Sequence, residues 1–300
     1  MKKKIGLALG SGAARGLCHF GVIKALKEQD IQPEVICGSS VGALIGAAYV
    51  TGHLKALERW FQEQTTRKFI GHLDINFFAS GGIADGEQFI HFLKTEFGDY
   101  RIQDLPIPYA AVACDMNSGK EVWLTEGSIW DAVRASGAYP GLLTPVKREE
   151  QWLIDGGLVN PVPVTVCRAL GATHVIGVNL NHDLLVPRPE KPKDKKPLIN
   201  LENTVLGKAG GRIKQAINER FSFNTRPKEN TPGIFDVISC TVNIMQDRIT
   251  RSRLAGDPAD VIFNPRLAHI GFLELEKSDE IIQEGTDCVT RNIEQLQHLD

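Results

Sequence analysis

A serine in a glycine-flanked turn is the first candidate for chemistry in this chain. The stretch GSSVG at residues 38–42 has the form G-x-S-x-G, with Ser40 at its centre between Gly38 and Gly42. It follows an apolar stretch typical of a strand and opens a small-residue stretch typical of a helix, which is the context of a nucleophile elbow. Glycines are needed because the turn is tight and holds the serine in a strained backbone conformation. The helix N-terminus beside Ser40 also favours a developing oxyanion. The alternative is a serine that only caps this helix.

A second turn of small residues, LGSGAARG at 9–16, also lies between an expected strand and an expected helix. Its consecutive main-chain N–H groups can converge on an anion, which suits an oxyanion hole. The alternative is a dinucleotide-binding turn. With Gly10 and Gly12 as the first two glycines, the third position falls on Arg15, and the acidic residue Glu34 begins the second strand instead of ending it. Both features fit the nucleotide interpretation poorly.

A carboxylate is the third candidate. Asp155 stands at the end of an expected strand, in the stretch IDGG. If that strand is a parallel neighbour of the strand before Ser40, the carboxylate lies at the same sheet edge and can accept the serine proton. The alternative is that Asp155 caps a turn, as Asp-Gly commonly does.

A histidine base in the order Ser-Asp-His would have to come from the histidines after Asp155. None of them lies in a glycine-rich catalytic context, and His269 in RLAHIGF is the best placed. We expect surface or packing roles for all four: His174, His182, His269 and His298. His19, on the first helix, is expected to pack against the 9–16 loop.

Short apolar strands alternate with helices along most of the chain, which predicts an α/β fold with a largely parallel sheet. The expected strands are residues 4–9 and the stretches PEVICG, IPYAAVAC, KEVWL, EEQWLID, THVIGVNL and ADVIFNP. The expected helices run to about Gln29, over VGALIGAAYVTG, through most of 53–97, from about 129 to 136, over DVISCTVNIMQDRITRSRL, and onward from about Lys277.

The composition of the 300-residue chain is that of an ordinary globular protein, with 42% hydrophobic and 23% charged residues. A net charge of −2 gives no electrostatic argument for nucleic-acid binding. The six cysteines are scattered without a CxxC pair, so we expect reduced thiols, no metal and a cytoplasmic protein. No stretch reaches the length of about 18 apolar residues that a transmembrane helix needs, and the apolar run after the first lysines is too short for a signal peptide.

Residues 183–233 depart from this pattern. They begin with the Pro/Lys-rich LLVPRPEKPKDKKP and contain eleven Lys/Arg against six Asp/Glu, a net charge of +5. A solvated linker is the favoured interpretation. Contact with an anionic membrane surface, a lid over the site and a subunit contact are the alternatives.

Taken together, GSGAARG, GSSVG and DGG, in that order, resemble the patatin-like phospholipases. ACDMNSG (113–119) and RASGAYPGLLTPV (134–146) are similar to that family's other blocks. The resemblance covers residues 5–180, and ADVIFNPRLAHIGFLE is similar to the tail of short bacterial members near the neuropathy-target-esterase branch. It implies one three-layer domain over 1–300, with a catalytic core at 5–180, a basic insertion or lid at 183–233, and 234–300 completing the fold.

The resemblance also implies a Ser-Asp dyad without histidine, in which Ser40 is the nucleophile and Asp155 the base. Gly156 and Gly157 complete the DGG motif. By motif, the amides of Gly12, Ala13 and Ala14 form the oxyanion hole, Arg15 is the loop cation and Gly16 ends the loop.

Two of the three glycines in the family's loop are replaced in this chain, because the family's glycine positions fall on Ser11, Ala13 and Gly16. The resemblance implies a serine lipid acyl hydrolase without a cofactor. Its substrate would be a phospholipid, a lysophospholipid or a small ester, and it could act at the inner face of the membrane or as a homo-oligomer. Because of the two replacements, a regulatory or scaffold protein that keeps the fold with little turnover is the alternative.

Overall fold

The computed structural model describes residues 3–75, 82–184 and 234–299. Its main compact unit comprises Met1–Leu185 and Val237–Asp300. A second unit, Val186–Asp236, lies outside the described residues except for the first residues of one helix. The predictions for the basic segment 183–233 therefore fall almost wholly outside the described residues and stay predictions.

Eight strands among the described residues form one mixed sheet, in the order β5-β6-β3-β2-β1-β7-β8, with β4 also paired to β3. Their bounds are β1 Ile5–Leu9, β2 Val35–Ser39, β3 Tyr109–Asp115, β4 Glu121–Leu124, β5 Val146–Arg148, β6 Gln151–Asp155, β7 His174–Val178 and β8 Val261–Phe263. The pairs β1–β2, β1–β7, β2–β3 and β7–β8 are parallel, whereas β3–β4, β3–β6 and β5–β6 are antiparallel. The predicted α/β fold with a mainly parallel sheet is confirmed.

Helices flank this sheet. Within the described residues they are α1 Cys18–Glu28, α2 Val41–Val50, α3 Leu54–Gln62, α4 Thr66–Gly71, α5 Glu87–Phe97, α6 Ile129–Ser136, α7 Val164–Ala169, α8 Ile234–Gly256, α9 Ser278–Arg291 and α10 Ile293–Leu296. No helix of the described residues is long and apolar enough to cross a membrane. All six cysteines carry free thiols, of which only that of Cys240 is exposed.

The sheet carries apolar side chains on both faces because its central strands are buried on both sides. Along β1, Leu7 and Leu9 belong to the larger core cluster, while Ala8 between them belongs to the smaller one on the opposite face. This alternation is the two-residue period of a strand, and it explains why β1 and β2 are near-continuous apolar runs. The three-layer arrangement follows from covering both faces with helices.

Two short elements were not predicted from the sequence. β5 has three residues and α7 has six, so neither is long enough to show a hydrophobic period. α7 also follows Pro163 and consists largely of β-branched residues in its first turn, which are weak helix formers.

Candidate active site

The turn between β2 and α2 holds Ser40 in a strained backbone conformation, with φ 56° and ψ −123°. Such a positive φ is uncommon for a residue with a side chain. The turn is possible because its flanking glycines leave room for it. A Cβ on Gly38 would lie 2.4 Å from the Ala43 nitrogen, and one on Gly42 would lie 2.1 Å from the Leu9 oxygen. Both glycines of the G-x-S-x-G motif are therefore sterically required.

The two adjacent serines have different surroundings. The Ser40 hydroxyl donates to Asp155 Oδ2 at 2.6 Å. Ser39 is the last residue of β2, is fully buried, and donates from its hydroxyl to the Asn160 carbonyl at 2.5 Å. Although Ser40 occupies the N-cap position of α2, its side chain makes no capping hydrogen bond. Of the two, only Ser40 lines the cleft described below.

The strand that places Asp155 beside Ser40 is arranged differently from the prediction. This strand, β6, is not a parallel neighbour of β2 but runs antiparallel to β3. The register along β3 explains why Ser40 and Asp155 are close. β2 pairs with β3 residues up to Val112, and β6 pairs with the next ones, Ala113 to Asp115. β6 thus takes over along β3 where β2 ends, and its last residue lies at the level of the Ser40 turn.

The Asp155 carboxyl is almost fully enclosed, with 1% of its surface exposed. Burial raises its pKa from 3.8 to about 6, opposed by hydrogen bonds from Ser40 and from the Gly157 amide. The Gly157 N–H donates to Oδ1 at 2.7 Å, so Asp155 also caps the turn that follows it. The next residue, Gly156, needs to be glycine because a Cβ there would lie 2.0 Å from the Val112 oxygen. One carboxylate oxygen therefore holds the DGG turn while the other meets the serine.

The loop of small residues after β1 leads into a short 3-10 turn, Ala13–Leu17. The N–H groups of Gly12 and Ala13 make no hydrogen bond to another described residue, whereas the N–H of Ala14 donates to the Phe272 carbonyl at 3.0 Å. The motif assigns an oxyanion-hole amide to Ala14 as well; its N–H is engaged with Phe272, and the assignment stays a prediction. Gly16 packs the loop against the elbow, because a Cβ there would lie 2.2 Å from a methyl carbon of Val41.

Arg15 is a buried cation, with 4% of its surface exposed. Its Nη2 donates to Asn181 Oδ1 at 3.3 Å and to Asn243 Oδ1 at 3.4 Å, and its Nε has no partner among the described residues. Burial lowers its pKa to about 10, so the guanidinium stays charged at neutral pH. Asn181 also donates from Nδ2 to Gln246 Oε1 at 2.9 Å and to the Ser11 carbonyl at 3.3 Å, which links the segment after β7 to α8 and to the 9–16 loop.

No motif in the sequence marks the side-chain amides of Asn181, Asn243 and Gln246. Asn243 and Gln246 stand three residues apart on α8 and both line the cleft. That spacing puts them on one face of a helix, but it is too common in helices to mark a site.

A cleft opens beside Ser40. Its walls are mainly apolar. The residues that line it come from the 9–16 loop, α2 to α6, the segment after α6, α8 and the segment before α9. The apolar members include Leu17, Leu44, Phe61, Phe69, Leu73, Phe89, Ile90, Leu142, Leu143 and Phe272. Tyr139 also lines it, and burial raises the pKa of its hydroxyl to about 12. The cleft can hold an apolar group beside the serine.

No described histidine side chain lines this cleft. His174 contacts Thr173 Oγ1 at 3.0 Å, His182 is exposed, and His269 pairs with Glu280 at 2.6 Å on the surface. His19 is fully buried, donates from Nε2 to the Gly10 carbonyl at 2.9 Å, and has its pKa lowered to about 4 by burial. It therefore supports the loop as a neutral group. The side chain of His298 lies outside the described residues.

Within the described residues, no group of three or more His, Cys, Asp or Glu side chains is arranged to hold a metal ion.

Comparison with known proteins gives consistent matches. A family model described as patatin-like phospholipase matches residues 7–168. An uncharacterised NTE family protein of Mycobacterium bovis is 30% identical over 330 aligned residues, covering 97% of this chain and 91% of that protein. The neuropathy target esterase sws of Drosophila melanogaster is 34% identical over 183 residues, which cover 59% of this chain and 13% of that protein. The crystal structure of VipD from Legionella pneumophila aligns with a TM-score of 0.48 and 12% identity, over 97% of this chain and 66% of that one. The stretch matched by the family model includes both Ser40 and Asp155.

Proposed function

Because this chain belongs to the patatin-like phospholipase family, on the branch of the neuropathy target esterases, we propose that it is a serine lipid acyl hydrolase with a Ser40–Asp155 dyad. The observation that carries the proposal is the 2.6 Å hydrogen bond from the Ser40 hydroxyl to Asp155 Oδ2 at the end of an apolar cleft. A strained serine that donates to a buried carboxylate is suited to nucleophilic attack.

The Asp155 carboxylate is the general base in this mechanism. An ordinary aspartate, with a pKa of about 3.9, accepts a proton from a hydroxyl poorly. Burial raises the pKa of Asp155 to about 6, which strengthens it as a base while leaving it largely ionised at neutral pH. Ser40 Oγ attacks the ester carbonyl carbon as its proton passes to Oδ2. Asp155 then returns this proton to the departing alkoxide, and an acyl-serine remains.

Water completes the reaction. Asp155 takes a proton from a water molecule whose oxygen attacks the acyl carbonyl. The second tetrahedral anion collapses by breaking its bond to Ser40 Oγ, which receives the proton from Asp155, and the fatty acid is released. We assign stabilisation of both anions to the N–H groups of Gly12 and Ala13, which have no partner among the described residues. The N-terminus of α2 and the Arg15 guanidinium add positive potential at the same end of the cleft.

The substrate class is a carboxylic ester of a lipid, such as a phospholipid, a lysophospholipid or a small ester. The apolar walls formed by Phe61, Phe69 and Phe89 would receive the acyl chain. We further propose that the chain acts as one domain over 1–300. On sequence grounds, the basic segment 183–233 is a solvated linker, with membrane contact as the alternative.

Labelling with a fluorophosphonate tests the proposal, since this probe reacts with an activated serine hydroxyl. The wild type and Ser39→Ala should both be labelled at Ser40 and hydrolyse lipid esters, whereas Ser40→Ala should do neither. Ser39→Ala is a matched control because the two serines are adjacent and only Ser40 meets Asp155. Hydrolysis by Ser40→Ala at the wild-type rate would refute the dyad. A folded wild type that neither reacts nor turns over any lipid ester would favour the scaffold alternative.

A further inference from the structure

The C-terminal end of α6 contacts the main chain of both dyad residues. Ser136, the last residue of α6, is fully buried. Its hydroxyl accepts the N–H of Ser40 at 2.9 Å and donates to the Val112 carbonyl at 2.5 Å. Two residues further on, the Ala138 carbonyl accepts the N–H of Asp155 at 3.0 Å. One short segment therefore holds the backbone of both proposed catalytic residues.

The hydrogen bond from the Ser40 N–H to the Ser136 hydroxyl replaces one that a straight strand would make directly to β3. In the parallel ladder between β2 and β3, the Ile36 N–H donates to the Pro108 carbonyl. A regular parallel ladder repeats such a bond at every second residue. A straight continuation would bring the N–H of Ser40 to the Val112 carbonyl. The sharp turn at Ser40 moves its N–H out of hydrogen-bonding position for the Val112 carbonyl. The Ser136 hydroxyl lies between this N–H and this carbonyl and bonds to both.

The inserted hydroxyl fixes how far the elbow lies from β3. Asp155 is held at the same edge of β3, because β6 pairs with β3 immediately beyond Val112, where the pairing with β2 ends. The 2.6 Å contact between the Ser40 and Asp155 side chains thus depends on the spacing that Ser136 imposes on the Ser40 backbone. Without this hydroxyl, both the Ser40 N–H and the Val112 carbonyl would lose a partner, and the turn could relax.

We propose that Ser136 is a positioning residue. Its hydroxyl holds the main chain of Ser40 at the distance from β3 at which the Ser40 side chain forms its hydrogen bond with Asp155. The inference rests on the proposed function, because it assigns the bond a role in the same dyad. Ser136 does not line the cleft. Its loss should therefore affect the chemical step and leave substrate binding unchanged.

The test compares Ser136→Ala with Ser39→Ala. Both changes remove a fully buried serine hydroxyl that donates to a backbone carbonyl at 2.5 Å, but only Ser136 also accepts the N–H of Ser40. Hydrolysis of a soluble ester should show kcat of Ser136→Ala lowered by about 10- to 100-fold, the range expected for misplaced reacting groups. KM should stay within about twofold of wild type, and labelling of Ser40 by fluorophosphonate should slow by the same factor as kcat. Ser39→Ala should retain wild-type kcat.

Ser136→Cys gives a second reading if the alanine variant does not fold. Its thiol is close in size to the hydroxyl but forms weaker hydrogen bonds, so kcat should fall below that of Ser39→Ala while KM stays within about twofold of wild type. A Ser136→Cys kcat equal to that of Ser39→Ala would count against the positioning role. A kcat for Ser136→Ala equal to that of Ser39→Ala, or a loss confined to KM, would overturn the inference while leaving the dyad intact. An inactive, unlabelled wild type would instead overturn the proposed function, and the positioning role with it.

Discussion

Replacing Asp155 with asparagine should make the protein more stable at pH 8 while abolishing ester hydrolysis. The carboxyl is enclosed and its pKa is raised to about 6, mainly by burial. An asparagine has nearly the same shape and is neutral at every pH of interest. Its amide oxygen can still accept the Gly157 N–H that now donates to Asp155 Oδ1. The substitution therefore removes a buried negative charge with little change in packing.

The size of this gain follows from the pKa of Asp155 in the two states. The folded protein holds the carboxyl proton more tightly than the unfolded chain, in which the pKa is near 3.8. This tighter binding of the proton stabilises the wild type fully below pH 3.8, and the stabilisation is lost as the pH rises through 6. Removing the charge at pH 8 should therefore raise the free energy of unfolding by about 3 kcal/mol, which corresponds to the difference between the two pKa values. Near pH 4 the same relation gives a gain of under about 1 kcal/mol.

Urea unfolding of the wild type and Asp155→Asn at pH 8 and at pH 4 measures this difference. The variant should be more stable by up to about 3 kcal/mol at pH 8, and the two curves should converge at pH 4. Asp247→Asn is the control, because Asp247 is similarly buried but is paired with Arg251 at 2.9 Å. It should give no gain at pH 8.

Two results would refute the reasoning. Equal stabilities of the wild type and Asp155→Asn at both pH values would mean that the carboxylate is not destabilised by its surroundings. Full activity of Asp155→Asn would mean that Asp155 is not the base.

The remaining predictions concern pH and membranes. The value of kcat/KM should fall by about tenfold between pH 8 and pH 5, with a midpoint near the Asp155 pKa of about 6, because only the ionised carboxylate accepts the serine proton. A midpoint at the ordinary aspartate value of about 4 would contradict a desolvated base. Deletion of residues 187–226 should leave binding to anionic liposomes unchanged if the basic segment is a solvated linker, as measured by co-sedimentation with the full chain as control. Reduced binding would favour the membrane-contact alternative.

Much of the fold was predictable because its signals are local. The apolar runs of β1, β2, β3 and β7 and the helices α2 and α6 lie where the sequence patterns indicate. The mixed character of the sheet was not predictable in the same way. An antiparallel strand such as β6 has the same apolar pattern as a parallel one, and its direction depends on its partner.

The loop at 9–16 was also predictable only in part. Its small residues and its position between strand and helix follow from the sequence, as does the family resemblance that the comparisons confirm. That Ala14 already donates its N–H to Phe272 could not be read from the loop itself, because the two residues are far apart in the chain. The roles assigned to the loop and to the dyad stay predictions until the variants are measured.

The sequence by itself determined where a strained serine and a glycine-rich loop could form, because a tight turn demands small residues at fixed neighbouring positions. It did not determine what those turns would face. Ser40 meets Ser136 and Asp155 across 96 and 115 residues of chain, and no local pattern encodes such pairs. Only the tertiary structure decides these pairs, because the register along β3 brings β6 and the end of α6 to the Ser40 turn. Enclosure by the surrounding core then raises the pKa of the Asp155 carboxyl.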